Sequence, residues 1–229
     1  MKHNRAVILY AALLAVVSVT AAGCNSDTQT ADTAESAFLA QIETAESGEE
    51  VLYASFSSID EMVETTHANR IIRCTVTERG DCTVFDPMGV LSEAERDSKK
   101  AAQFLATPYT LTVSDSYLGN LTKGETVTFY AQYGILGGTS YRQSRYPILE
   151  TGAEYIMFLR AEEIGGEIVY YLTYTPDSVV RVSGTETIPD TSLFSAYAGD
   201  IPALESEIRS LVAENNYNTE IQSSGTADK

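Results

Sequence analysis

Two runs dense in β-forming residues, Tyr155-Ile156-Met157-Phe158-Leu159 and Ile168-Val169-Tyr170-Tyr171-Leu172-Thr173-Tyr174, are joined by a short link containing Gly165-Gly166. Paired glycines supply the positive φ of a tight hairpin turn, so the two runs read as antiparallel strands of buried composition. Further β-rich runs follow the same pattern at Ile71 to Val76, at Tyr109 to Val113 with alternating apolar residues, at Glu125 to Ala131 behind a Lys123-Gly124 turn, and at Val179 to Val182. Helix signals are fewer. Ser58-Ile59-Asp60-Glu61 has capping-box form, and Ile59, Met62, Val63 and Thr66 then fall on one helical face until Ala68-Asn69 offers a stop. Near the C-terminus, Pro202 suits a first helical turn, and Leu204, Ile208, Leu211 and Val212 share a face up to Asn215. Many short strands and two short helices make a mainly β fold. A sheet of this size hides its edges best by closing, which predicts one small antiparallel barrel domain with the second helix packed on the sheet.

The order of these signals also carries a resemblance. Ser58-Ile59-Asp60-Glu61-Met62-Val63, Ile71-Ile72, Val76, Tyr109-Thr110, Val113, Lys123-Gly124-Glu125-Thr126-Val127, Gly137-Gly138 and Gly152-Ala153-Glu154-Tyr155-Ile156-Met157-Phe158-Leu159 succeed one another. This succession resembles a loose set of uncharacterised, mostly Gram-positive, exported proteins, whose domain is similar to the OB-type barrel of the metalloproteinase-inhibitor and netrin kind. The likeness covers about Phe56 to Val182 and implies an OB-like barrel more than an activity. By fold analogy alone it also raises inhibition of an extracellular protease. The chain departs from that set at Arg73-Cys74, where small residues are usual, and in a longer stretch from Asp86 to Pro108. It also has no N-terminal cysteine wedge of the inhibitor type.

The N-terminus reads as an export signal: Lys2 and Arg5, an apolar run from Ala6 to Val19, then Ala21-Ala22-Gly23 before Cys24. The run is shorter than the ~20 residues of a spanning helix. Ala21-Ala22-Gly23-Cys24 resembles the lipobox of bacterial lipoproteins, with Ala21 where that box prefers leucine. The resemblance implies cleavage after residue 23 and a diacylglyceryl lipid on the Cys24 thiol, whose two acyl chains suffice to hold the chain on the outer face of the cell membrane. Residues 24–50, rich in Thr, Ala, Ser, Asp and Glu, then read as a flexible tether with at most transient helix from Ala37 to Ile42. The globular domain is expected over residues 51–217, and residues 218–229 read as a disordered tail.

With Cys24 modified, Cys74 and Cys82 are the remaining thiols. They flank Arg79-Gly80-Asp81, which looks like hairpin-turn chemistry, so a Cys74–Cys82 disulfide is predicted for an oxidising compartment. Neither a redox C-x-x-C spacing nor a zinc-ligand set is present, and no metal or cofactor is expected. Acidic residues number 32 against 15 basic, a formal charge of −17 that becomes −19 once Lys2 and Arg5 leave with the signal. Phosphate backbones need clustered Lys and Arg, so nucleic acid is excluded as a partner.

No catalytic residue is assigned. His67, alone after the signal, sits at a helix end; no G-x-S-x-G or S-x-x-K motif occurs, and the adjacent acid pairs lack glycosidase spacing. The binding candidate is Tyr133, Tyr141, Arg142, Arg145 and Tyr146, arranged around the glycine-rich segment Gly134-Ile135-Leu136-Gly137-Gly138, read as a mobile loop on a rigid barrel. Arg and Tyr are the usual anchors of interfaces, and a positive patch on an acidic chain selects an anionic protein or glycan partner. The expected function is therefore a surface-displayed, non-enzymatic binding or adaptor module. The alternative is an envelope hydrolase or transferase with scattered site residues.

Overall fold

The computed structural model describes residues 26–45, 55–85, 104–142, 146–164, 166–172, 176–183, 186–188 and 193–224. Its centre is a barrel formed by β1 (Arg70–Arg79), β3 (Phe104–Leu118), β4 (Thr126–Ala131), β7 (Glu154–Ile164) and β8 (Glu167–Leu172). Neighbours run in the order β1-β3-β4-β8-β7, and β7 pairs back onto β1, so the ring closes. Every pairing in the ring is antiparallel except β4 with β8, which meet in parallel at Phe129 and Tyr170. This is the OB-like barrel expected from the sequence.

Alternation along the strands sets two cores. Ile72, Cys74 and Val76 of β1 enter the barrel with Tyr109, Leu111, Val127, Phe129, Tyr155, Met157, Leu159, Tyr170 and Leu172. The opposite face of β1 and β7 presents Ile71, Ile156 and Phe158 to a second core built with the helices. Tyr155 to Leu159 are therefore buried without interruption, which is why this run is apolar at every position. Strand β9 (Val179–Ser183) lengthens the sheet beside β7, and β10 (Glu186–Ile188) pairs with β9.

Two helices cover the second core. In α2 (Ile59–Thr66), Ser58 Oγ accepts from the Glu61 amide at 3.1 Å, as the capping box requires. The return half is shifted by one residue: the Glu61 carboxylate accepts from the Ser57 amide and hydroxyl at 2.8 and 2.6 Å, which holds its pKa below the usual carboxylate range. In α3 (Ile201–Glu214), Asp200 caps the Ala203 amide at 3.0 Å, and Ile201, Leu204 and Ile208 are buried. Arg73 locks α3 to the barrel, with Nε and one terminal nitrogen donating to Glu154 at 2.8 and 2.7 Å and the other terminal nitrogen donating to Glu205 at 3.0 Å. The Tyr117 hydroxyl donates to the same Glu205 oxygen at 2.6 Å.

A third helix corrects the tether reading. α1 (Ser26–Glu43) lies within the stretch expected to be solvated, yet Phe38 and Ile42 are buried in the barrel core. The Phe38 ring is 6.4 Å from that of Tyr133, and the Arg79 guanidinium lies 3.8 Å over it. Glu35 takes Arg79 Nε at 2.8 Å with one oxygen and the Thr151 hydroxyl at 3.0 Å with the other. Docking on a distant barrel mouth, invisible to local composition, converts a polar segment into a plug. Among the described residues, no helix is long and apolar enough to cross a membrane.

The predicted disulfide is corrected too: Cys74 and Cys82 are both free. Strand β1 continues straight through Arg79, and β2 (Thr83–Phe85) pairs with β3 instead of folding back on β1. Five strand residues from Cys74 to Arg79 cover roughly 16 Å, well past the reach of an S–S bond. Cys74 points into the barrel, its Sγ 3.5 Å from Met157 Sδ, and burial pushes its thiol pKa far up. Cys82 instead fills the space over Gly134, where a Cβ would stand 2.2 Å from its Sγ. The tail reading is corrected in part, because β11 (Gln222–Ser224) pairs in parallel with Glu162–Ile164 of β7.

Candidate functional site

Two of the sequence candidates, Tyr133 and Tyr146, face inward. The glycine-rich segment is a hairpin of β5 (Tyr133–Leu136) and β6 (Thr139–Arg142), turned by Gly137 and Gly138 at φ 58° and 80°, rather than a loose loop. Tyr133 is fully buried, its hydroxyl donating to the Tyr109 hydroxyl at 3.0 Å and accepting from the Leu149 amide at 2.8 Å. Tyr146 is buried edge-on against Tyr133 at 5.9 Å. Arg142 spends its guanidinium on the Tyr146 carbonyl at 3.0 and 2.7 Å, closing the chain behind the hairpin. Tyr141 is half-buried, and Arg145 lies outside the described residues, as does Cys24. Tyr133 and Tyr146 are therefore core residues, and their aromatic character is accounted for by packing.

A different site opens on the other side of the domain. A cavity of about 610 Å³ lies between the C-terminal end of α2, Arg160 of β7 and residues 216–222. Its size falls in the range of small-molecule pockets. Val63, Ala68 and Asn69, all buried, form part of its lining. The remaining lining is polar: Glu64, His67, Arg160, Asn216, Tyr217, Asn218, Glu220 and Gln222.

His67 holds a conformation that marks this place. It follows the last turn of α2 at φ 55° and ψ 36°, and among the described residues no other non-glycine residue has positive φ. That position normally takes Gly or Asn, since a side chain with a Cβ is disfavoured in the left-handed region. The left-handed turn lets the amides of His67 and Ala68 bond back to the Glu64 and Val63 carbonyls at 3.4 and 3.3 Å. The sequence showed a helix-end histidine; its backbone strain and its cavity were not legible there.

The polar groups around it divide into engaged and available ones. Arg160 is engaged, with Nε 2.6 Å from Glu162 and one arm donating to Gln222 at 3.2 Å. Asn69 is saturated: its Oδ1 accepts from the Ala161 amide at 2.7 Å, and its Nδ2 donates to the Ala161 and Glu220 carbonyls at 2.9 and 3.1 Å. Glu64 and Glu220 form no salt bridge among the described residues and are exposed at the cavity.

Tyr217 anchors the outer wall by donating its hydroxyl to Asp60, to which Asn215 also donates at 3.1 Å. Burial, and then the Asp60 carboxylate beside it, push the Tyr217 phenol up from 10.0 to about 12. A folded pKa above the unfolded one means that the contribution is whole below pH 10 and is lost as pH rises through about 12. The Cα and Cβ carbon signals of residues 216–222, which do not depend on exchangeable protons, are therefore expected to shift toward free-chain positions between these pH values in an NMR titration. In Tyr217→Phe that alkaline step is expected to vanish; its persistence would remove the phenol as the cause.

No protein-family model matches the chain, and no curated protein matches it either.

Proposed function

We propose that this chain is a lipid-anchored, extracytoplasmic binding module that takes a small amine- or hydroxyl-bearing ligand, the size of one or two sugar rings, in the cavity at the end of α2. The observation that carries the reading is the cavity itself: about 610 Å³, with amide, carboxylate and imidazole side chains converging around a strained His67. Strain held at one pocket residue is a feature of sites selected for more than stability. The acidic Glu64 and Glu220, with Arg160 already committed to Glu162, favour a cation over an anion, as does the −19 charge of the chain after its signal. Asn216 offers a donor and an acceptor, and Asn218 and Gln222, whose oxygens already accept from the Glu220 amide and from Arg160, offer their NH2 donors, which suits hydroxyl groups. The membrane address rests on the Lys2-to-Cys24 pattern. Within this reading the cavity replaces the Tyr133-to-Tyr146 segment as the binding site.

Three sugars of one ring size test it: glucosamine, glucose and glucuronate, titrated against isotope-labelled protein with the amides of residues 63–69 and 216–222 as reporters. Affinity is expected to fall in that order, and Glu64→Gln or Glu220→Gln should each weaken glucosamine by about tenfold, or 1.4 kcal/mol. Glucuronate binding as tightly as glucosamine, or shifts confined to other regions, would overturn the assignment.

His67→Gly separates function from folding. Glycine relieves the left-handed backbone, so thermal unfolding should rise by the equivalent of about 0.5–1 kcal/mol while glucosamine binding weakens. A stability loss in this variant would show that the imidazole contributes more to packing than to the site.

A further inference from the structure

The cavity has one wall that the barrel does not need. We infer that residues 215–224 form a strap that docks and undocks as a unit of its own, so that the site is assembled when the strap is down and dismantled when it lifts. This rests on the cavity being the ligand site and adds how that site is regulated.

The argument is in how the strap is fastened. Side chains of Asn216, Asn218, Thr219, Glu220 and Gln222 are exposed, and only Tyr217 and Ile221 pack partly into the two cores. The preceding helix α3, by contrast, buries Ile201, Leu204 and Ile208. Polar bonds hold most of the strap: Tyr217 and Asn215 on Asp60, Arg160 on Gln222, and the three-residue parallel pairing of β11 with β7. Two further bonds come from buried barrel residues, Asn69 Nδ2 to the Glu220 carbonyl at 3.1 Å and an Arg70 terminal nitrogen to the Thr219 carbonyl at 2.9 Å.

Each of those two donors also has an acceptor inside the barrel. Asn69 Nδ2 keeps the Ala161 carbonyl at 2.9 Å, and the same Arg70 nitrogen keeps the Asn69 carbonyl at 2.6 Å. Lifting the strap therefore leaves each nitrogen one of its two N–H bonds, and the freed N–H of each points to where the exposed strap lay, so water can take it and the full penalty of an orphaned buried donor is avoided. On the other side of β7, Glu162, Glu163 and Ile164 remain paired with β8. A segment with little buried apolar area, fastened mostly by polar bonds at exposed residues, belongs to the low-stability end of a fold. Because residues 216–222 line the cavity, a ligand held there binds the docked form and draws the equilibrium toward it.

Hydrogen exchange on the ligand-free full chain reads the strap directly. Amides of residues 219–224 are expected to exchange at least about 100-fold faster than those of β1 and β7, with rates insensitive to low urea, the mark of local opening. Tyr217→Phe, which keeps the ring but loses the bond to Asp60, should speed the strap a further several-fold and leave β1 and β7 unchanged. Strap amides protected to the level of the barrel with the same urea dependence, or equal acceleration of both regions in Tyr217→Phe, would overturn the inference. Added glucosamine should slow the strap alone. Local opening that ignores every sugar would uphold the strap and count against the ligand reading instead.

Discussion

Ile42→Ala is expected to lower the unfolding free energy by about 3 kcal/mol, within the range for emptying a buried isoleucine site. Ile42 is fully buried in the barrel core although it comes from a segment with few other apolar residues. Its loss leaves a gap under α1 that neighbours fill only partly, because Tyr133 is fixed by hydrogen bonds to Tyr109 and to the Leu149 amide. For a domain of this size the melting temperature should fall by roughly 6–12 °C. Phe38→Ala acts on the same mouth and also removes the ring beneath Arg79, so the double variant should lose roughly 5–7 kcal/mol, less than additive behaviour would give. Urea unfolding decides it. A change within about 0.5 kcal/mol for Ile42→Ala is what a surface or tether position would show, and it would return α1 to the status of a linker.

Asn69→Ala is expected to cost about 3 kcal/mol for a different reason. The Asn69 side chain acts as a missing stretch of strand, its amide taking both the N–H and the C=O of Ala161 on the edge of β7 next to the start of β1. Ala161 and Leu159 are buried, so alanine at position 69 leaves one backbone donor and one acceptor without their side-chain partner, each worth about 1–3 kcal/mol. The Asn69 backbone amide still reaches the Leu159 carbonyl at 3.0 Å, which limits the loss and keeps β1 in register. The same substitution removes the bond to Glu220, so exchange of the strap should accelerate beyond what the global loss explains. Equal slopes in urea with a shifted midpoint would confirm that the fold is kept; a loss under about 0.5 kcal/mol would mean that Ala161 finds other partners.

Local signals were legible because they act over a few residues. The Gly165-Gly166 hairpin, the Ser58 cap, the Asp200-Ile201-Pro202 start of α3 and the uninterrupted run Tyr155 to Leu159 each express a constraint on φ, a cap or a face within one element. The need to hide sheet edges extended them to a closed ring, and the β1–β7 pairing bears that out. The binding candidates were ambiguous for a related reason: aromatic and basic residues near glycines signal an interface or a core equally well. Only the burial of Tyr133 and Tyr146 distinguishes the two.

What the chain's sequence determined by itself is the five barrel strands with β9, two of the helices and the acidic character, since propensity, periodicity and charge are properties of neighbouring residues. What the tertiary structure decided is where distant segments meet. α1 became a plug because the barrel mouth accepts Phe38 and Ile42, the cysteines stayed apart because β1 runs straight to Arg79, and the cavity exists because residues 63–69, Arg160 and 216–222 converge. Contacts between segments up to about 150 positions apart arise from the closure of the barrel, and no local pattern encodes them.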